Sequence, residues 1–221
     1  MSDQIRLLVI GGGAQAKYVL ETCGLMQVEV IAVMNLQSDH ELTWVGYYNT
    51  RVVPFDLSAH NILRLGATHA IICTASPKEK ERLWNIVSKV RLRSYSVIHP
   101  TAIIASTAKI GMGTIINAGS IIQPFAKIGN GVMIHSNVVI EHDVTVDNFA
   151  NIAPNVTLAG WVKIGKSAII YTGCNIIPTI EIGDFAIIGA GATVISNIPA
   201  QCKVAGVPAK EISTYRGEVT S

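Results

Sequence analysis

The chain has 221 residues, 49% of them hydrophobic, with 17 basic and 15 acidic side chains for a net charge of +2 and a mean hydropathy of +0.41. That composition is too apolar for a disordered chain, and it holds no basic block that would neutralise phosphates along DNA or RNA, so no nucleic acid is expected as a partner. The apolar residues come in short groups, far below the eighteen or so in a row that cross a membrane, and the Leu7–Ile10 run enters glycines rather than a cleavage site, so neither a membrane span nor a signal peptide is expected.

In chain order, residues 1–97 alternate apolar strand-like runs with helix-like stretches: IRLLVI, QAKYVLETC, VEVIAVM, HAIICTA, PKEKERLWNIVSKV and SYSVI. Such alternation predicts a Rossmann-like βαβ domain with a parallel sheet. Pro77 stands where a helix begins, because the first turn does not need its missing N–H, and Glu79 and Glu81 suit the positive end of the helix dipole. Between the first strand and the first helix lies GGGAQA, residues 11–16, whose backbone N–H groups and helix N-terminus suit a diphosphate. It also reads as G-x-G-x-x-A, a weak dinucleotide signature. NAD is disfavoured, since Asn35 and Leu36 stand where an acidic ribose ligand is required.

A seam falls near residue 97: 18 charged residues precede it, against 9 in residues 98–199. Beyond it an aliphatic residue recurs every six positions, from Ile98 through Ile104, Ile110 and Ile116 to Ile188 and Val194, seventeen times without an insertion. Four positions after each comes a small or β-branched residue, as in Ala102, Thr114, Ala126, Val138 and Val156. Three six-residue sides close a triangle, so the second domain, 98–221, is predicted as an all-β parallel β-helix of hexapeptide repeats with eighteen residues per coil and a C-terminal tail. Gly111, Gly129, Gly165, Gly183 and Gly189 directly follow their aliphatic residue and are predicted as the bend residues. The four cysteines, Cys23, Cys73, Cys174 and Cys202, lie far apart with no CxxC pair, which argues against a zinc site or a disulfide framework and fits a reducing cytoplasm.

Five segments, VIGGGAQAK, SYSVIHPTA, VVIEHDVTV, LAGWVKIGK and AGVPAK, together resemble the family of sialic acid O-acetyltransferases and UDP-N-acetylbacillosamine N-acetyltransferases. These are hexapeptide enzymes that carry a small nucleotide-sugar domain ahead of a left-handed β-helix. The resemblance spans nearly the whole chain and implies a cytoplasmic homotrimer that transfers the acetyl group of acetyl-CoA, without a metal, to the amine of a nucleotide-linked 4-amino-4,6-dideoxy sugar. His142 matches the family's general base, a role for which imidazole is suited near neutral pH. Asp143 matches the acid that raises its basicity, with Glu141 the other neighbour, and Gly160, eighteen residues on, matches a backbone N–H donor to the developing oxyanion. Asn151, Gly160, Thr172 and Ala190 match acetyl-CoA contacts, with Asn151 replacing a family histidine and Thr172 an aliphatic residue; Lys210 is available to a coenzyme phosphate. Residues 1–97 then become the nucleotide-sugar domain, with Gly11, Gly12, Gly13, Ala14, Gln15, Asn35 and Leu36 as substrate contacts. Gln15 stands where the family usually has histidine, and Asn35-Leu36 where it often has two acids.

Three alternatives remain at this stage. One is O-acetylation of a sugar hydroxyl. Another is a γ-carbonic-anhydrase-like metalloenzyme using His99, His135 and His142, which needs three histidines converging across a subunit boundary. The last is a non-catalytic β-helix scaffold.

Overall fold

The structure, a computed structural model, describes residues 4–36, 43–90 and 92–212; the predicted tail beyond residue 212 lies outside them. Five parallel strands, β1 (Arg6–Ile10), β2 (Glu29–Asn35), β3 (Val52–Pro54), β4 (His69–Ile72) and β5 (Arg93–Ser94), form one sheet in the order β3-β2-β1-β4-β5. Helices α1 (Ala14–Met26), α2 (Ala59–Leu65) and α3 (Pro77–Val87) cover it. Side chains alternate along β1: Leu7 and Val9 pack with α1, whereas Leu8 and Ile10 pack with α2 and α3. Sequence patterning missed β3 and α2, which at three and seven residues are too short to display a period. It placed α3 well. Ser76 caps that helix by accepting a hydrogen bond from the Glu79 N–H, and Pro77 occupies the first turn.

From Val97 the chain winds as a triangular column of parallel two-residue strands. Wall I contains Val97–Ile98, Ile115–Ile116, Met133–Ile134, Asn151–Ile152, Ile169–Ile170 and Ile187–Ile188, and ends on Lys203–Ala205. Wall II runs from Ile103–Ile104 through Val139–Ile140 and Thr157–Leu158 to Thr193–Val194; wall III runs from Lys109–Ile110 to Glu181–Ile182. Pairing advances by eighteen residues without slippage, as in Val139↔Thr157 and Ile140↔Leu158. The repeated aliphatic residues and those four positions later point inward and, from Ile116 onward, are almost all fully buried.

The corners correct one expectation. Left-handed backbone recurs every sixth residue from Gly113 to Gly191, three positions after the aliphatic residue and not one, and it falls on Phe125, Asp143 and Trp161 as well as on glycines. Gly129 and Gly165 are needed for another reason. A Cβ at Gly129 would lie 2.7 Å from the Asn148 backbone nitrogen, and one at Gly165 would lie 2.6 Å from that of Asp184. Successive coils touch there backbone to backbone.

The two parts share a core. Outward-facing Val97, Ile115 and Met133 of wall I pack with Leu7, Val9 and α1. Tyr18 of α1 meets His135 edge to face, Trp84 of α3 meets Phe149, and Glu81 of α3 accepts a hydrogen bond from Lys166 at 2.7 Å.

Candidate active site

Pro124, His142, Gly160 and Pro178 stack at eighteen-residue intervals on the corner between walls II and III. Each is followed by a residue of positive φ: Phe125 at 63°, Asp143 at 61°, Trp161 at 60° and Thr179 at 67°. That is the backbone of a turn whose second central residue is left-handed and whose first accepts proline. The turn closes from the residue after the pair, as when the Val162 N–H donates to the Ala159 carbonyl at 3.3 Å. The N–H of the first central residue has no part in this, which is why proline fits at 124 and 178. At Gly160 the same N–H donates to no described residue and remains available to a ligand.

His142 projects from this corner with its side chain 43% exposed. Its Nδ1 lies 3.0 Å from Asp143 Oδ2. A carboxylate accepting from Nδ1–H leaves the Nε2 lone pair of the neutral ring as a proton acceptor. Nε2 sits over Gly160: a Cβ on that glycine would come within 2.8 Å of both Nε2 and Cε1. Trp161 stands perpendicular to the imidazole, with ring centroids 4.4 Å apart. The ring is thus held by a carboxylate, an indole and a bare backbone. Predicted residues His142, Asp143 and Gly160 therefore meet, and Asp143, not Glu141, is the partner.

The predicted coenzyme residues other than Gly160 lie elsewhere. Thr172 and Ala190 stack on the opposite edge of wall II, at its corner with wall I, where the Gly191 N–H donates to the Thr172 carbonyl at 2.8 Å. Both are exposed. Lys210 lies beyond them, in a short strand pairing with Lys203–Ala205. Asn151 projects outward from wall I. A full wall width separates these residues from His142 within one chain.

The glycine loop lies at the carboxyl end of β1, beside that of β4, where strand order reverses and where open α/β sheets take ligands. Gly11 has φ 105° and donates its N–H to Met34; a Cβ there would collide with the Cys73 carbonyl. Gly13 caps α1, the N–H groups of Gly12 and Gly13 donate to no described residue, and Ala14 and Gln15 form the first helical positions. Asn35 and Leu36, both half-buried, end β2 nearby, and Leu36 Cδ1 lies 3.4 Å from where a Gly11 Cβ would stand.

Two residues escaped sequence reasoning. Trp161 could have been found by adding one coil to Asp143. Lys80 shares a helical stripe with Leu83, Trp84 and Val87, an apolar position for a charged residue. It is 3% exposed, interacts electrostatically with Cys73 and His135, and burial pushes its pKa down to about 8. The Cys73 thiol is pushed up by burial, and His135 is pushed down by burial and by the Lys80 charge.

The described residues contain no group of three metal-ligating side chains. His99 Nδ1 pairs with Thr101 Oγ1 at 2.9 Å, His135 lies against Tyr18, and His142 stands on a different corner. All four cysteines are free. No described helix is long and apolar enough to cross a membrane. An open groove of about 620 Å³ runs along wall III over Gly129, Asp147 and Gly165, but no histidine lines it and its carboxylates Asp147 and Glu181 lie on an open wall, so the corner is the stronger candidate.

Residues 125–160 match the family model described as bacterial transferase hexapeptide (six repeats). No curated protein matches the chain. Among solved structures, PerB from Caulobacter crescentus, in complex with CoA and GDP-perosamine, is 26% identical with a TM-score of 0.87, over 94% of this chain and 97% of that one. A histidine-to-asparagine variant of perosamine N-acetyltransferase from the same organism, also with CoA and GDP-perosamine, is 25% identical with a TM-score of 0.88, covering 95% and 97%. The acetyltransferase domain of PglB from Neisseria gonorrhoeae, in complex with acetyl coenzyme A, shares the fold at 23% identity, with a TM-score of 0.84 over 94% and 98%. The column is consistent with a left-handed hexapeptide β-helix behind an N-terminal α/β domain.

Proposed function

We propose that this chain is an acetyl-CoA-dependent N-acetyltransferase that acylates the amine of a nucleotide-linked 4-amino-4,6-dideoxy sugar. The observation that carries the reading is the His142–Asp143–Gly160 corner on a chain alike, almost end to end, to an N-acetyltransferase solved with CoA and a nucleotide-linked amino sugar. Residues 1–97 form the nucleotide-sugar unit and residues 98–221 the acyltransferase unit.

As the sugar amine attacks the thioester carbonyl, Nε2 of His142 takes the amine proton; the tetrahedral intermediate then collapses, its C–S bond breaks, and the imidazolium returns the proton to the sulfur, so that CoA leaves as the thiol and the amide remains on the sugar. Asp143, hydrogen-bonded to Nδ1, stabilises the resulting imidazolium. The free N–H of Gly160 donates to the oxygen that becomes negative, a contact worth about a hundredfold to a thousandfold in rate. Trp161 limits ring motion while the proton moves.

The functional unit is a homotrimer in which wall I of one chain and its corner with wall II, carrying Asn151, Thr172, Ala190 and Lys210, face His142 of the next across a coenzyme cleft. Two observations support this. Within one chain Thr172 and Ala190 lie across wall II from His142, and Phe125, Trp161, Ile177 and Ile195 form an exposed apolar strip beside His142 of the kind that marks an association surface. The glycine loop, Gln15 and Asn35-Leu36 then hold the nucleotide. Four free cysteines fit a cytoplasmic location.

The test is CoA thiol release from acetyl-CoA across a panel of nucleotide-linked 4-amino sugars. His142→Ala should lower kcat about a hundredfold or more on the accepted sugar. Near-unchanged turnover, or no accepted amino sugar, would defeat the reading.

A further inference from the structure

We propose that Lys80 is the anion-binding residue of the nucleotide site, and that its counter-charge is the diphosphate of the nucleotide-linked sugar; this rests on the nucleotide-sugar reading above. An ammonium group has three donors and strong hydration, so burying it without a partner is costly. Lys80 is 3% exposed, yet it makes no hydrogen bond or ion pair with any described residue. The acids of its own helix are engaged elsewhere, Glu79 by Arg82 at 2.6 Å and Glu81 by Lys166 at 2.7 Å. The titratable groups facing it, Cys73 and His135, offer no negative charge, since burial favours the neutral form of both. A structural lysine in such a place would have a carboxylate.

Its position supplies the ligand chemistry. The side chain leaves α3 just beyond the carboxyl end of β4, and its Cδ reaches within 3.7 Å of where a Cβ on Gly131 of the column would stand. It therefore lies in the junction between the sheet edge and wall I. Cys73, with which it interacts electrostatically, brings its carbonyl against Gly11 of the glycine loop. The N-terminus of α1 opens from that loop with no side-chain cap and no acidic residue in its first turn, and the Gly12 and Gly13 N–H groups have no described acceptor. Backbone donors, a helix dipole and an ammonium with no partner among the described residues thus follow the carboxyl ends of the neighbouring strands β1 and β4, an arrangement complementary to a group with two or more negative charges.

Along wall I the outward residues Val97, Ile115 and Met133 are apolar where they lie under α1, and the next, at the same junction, is Asn151. Asn151 faces His135 there, and its Oδ1 and the Nδ2 of Asn117 are both buried. The junction is polar on both sides. A sugar diphosphate anchored at Lys80 would direct its sugar along wall I toward the proposed coenzyme cleft.

Calorimetry with ADP, GDP, UDP and dTDP tests this on wild type, Lys80→Met and Lys80→Arg, alongside acetyl-CoA affinity and thermal melting without ligand. Wild type should bind at least one diphosphate. Lys80→Met should weaken that binding about ten- to a hundredfold, the value of a charge-assisted contact, and Lys80→Arg should retain most of it. Acetyl-CoA affinity should not move. Ligand-free Lys80→Met should melt above wild type, because an uncompensated buried charge has gone; a purely structural lysine predicts a lower melting point. If Lys80→Met does not fold, Lys80→Gln replaces it in the same comparison. Diphosphate binding unchanged by loss of the charge would overturn the role of Lys80 while leaving the nucleotide-sugar reading intact. Wild type binding no diphosphate would overturn both.

Discussion

Replacing Gly160 with alanine tests the catalytic corner, because it leaves every proposed group in place and moves one of them. The added Cβ would stand 2.8 Å from Nε2 and Cε1 of His142, against ordinary contacts of 3.4–4 Å, so the ring must retreat by roughly 0.6 Å or more. It has somewhere to go, since the His142 side chain is 43% exposed, and stability should fall by no more than about 1 kcal/mol. The retreat strains the 3.0 Å contact with Asp143 and the perpendicular contact with Trp161, and it carries Nε2 away from the attacking amine. A displacement of this order costs about ten- to a hundredfold in kcat. Gly160→Pro adds the same bulk and also deletes the N–H, at a position whose equivalents, Pro124 and Pro178, already carry proline. Its kcat should fall a further hundredfold or so below Gly160→Ala if that N–H faces the oxyanion. Thiol release with saturating substrates measures both, with melting curves to verify folding. Turnover of Gly160→Ala within about threefold of wild type, or a proline variant no worse than alanine, would refute the geometry.

If the site is shared between chains, mixing and refolding equal amounts of His142→Ala and Ala190→Trp, each inactive alone, should restore about a quarter of wild-type activity per chain, whereas a site within one chain restores none. Lys80 has a pKa of about 8 in the folded chain against an ordinary 10.5, so the unfolded chain binds more protons between those values and this group's stabilising balance is lost as pH falls through the window. The stability difference between Lys80→Met and wild type in urea should therefore grow from near zero above pH 10.5 to about 3 kcal/mol at pH 7, and a pH-independent difference would contradict the buried charge. Gly165→Ala places a Cβ 2.6 Å from the Asp184 backbone nitrogen and should destabilise the column by roughly 1–3 kcal/mol; Gly173→Ala, at φ 72° with open space around it, should cost about 1 kcal/mol. Urea midpoints compare the two.

Much of this architecture could be read from residue order because it is repetitive. A period of six over seventeen repeats predicts a three-walled column, and eighteen residues per coil alone puts Gly160 directly over His142 and aligns Thr172 with Ala190. The glycine loop could be read too, since a strand, three glycines and a helix leave donors at one sheet edge. The pattern misled where the same residue type serves two needs: Gly129 and Gly165 resemble bend residues but are required by coil contact, while the bends themselves fall on Phe125, Asp143 and Trp161. It was silent where elements are short, as with β3 and α2.

Periodicity acts within a segment, so the composition of residues 98–199 was enough to establish the column, its register and the placing of His142, Asp143 and Gly160 on one corner. Contacts between segments distant along the chain leave no period behind. Packing α3 against the column buries Lys80 beside Cys73 and His135, brings the sheet edge to Asn151, and leaves His142 on the far side of a wall from Thr172 and Ala190. Those juxtapositions depend on how two cores merge through Val97, Ile115 and Met133, and burial and charge balance are properties of that merged interior rather than of any stretch of residues.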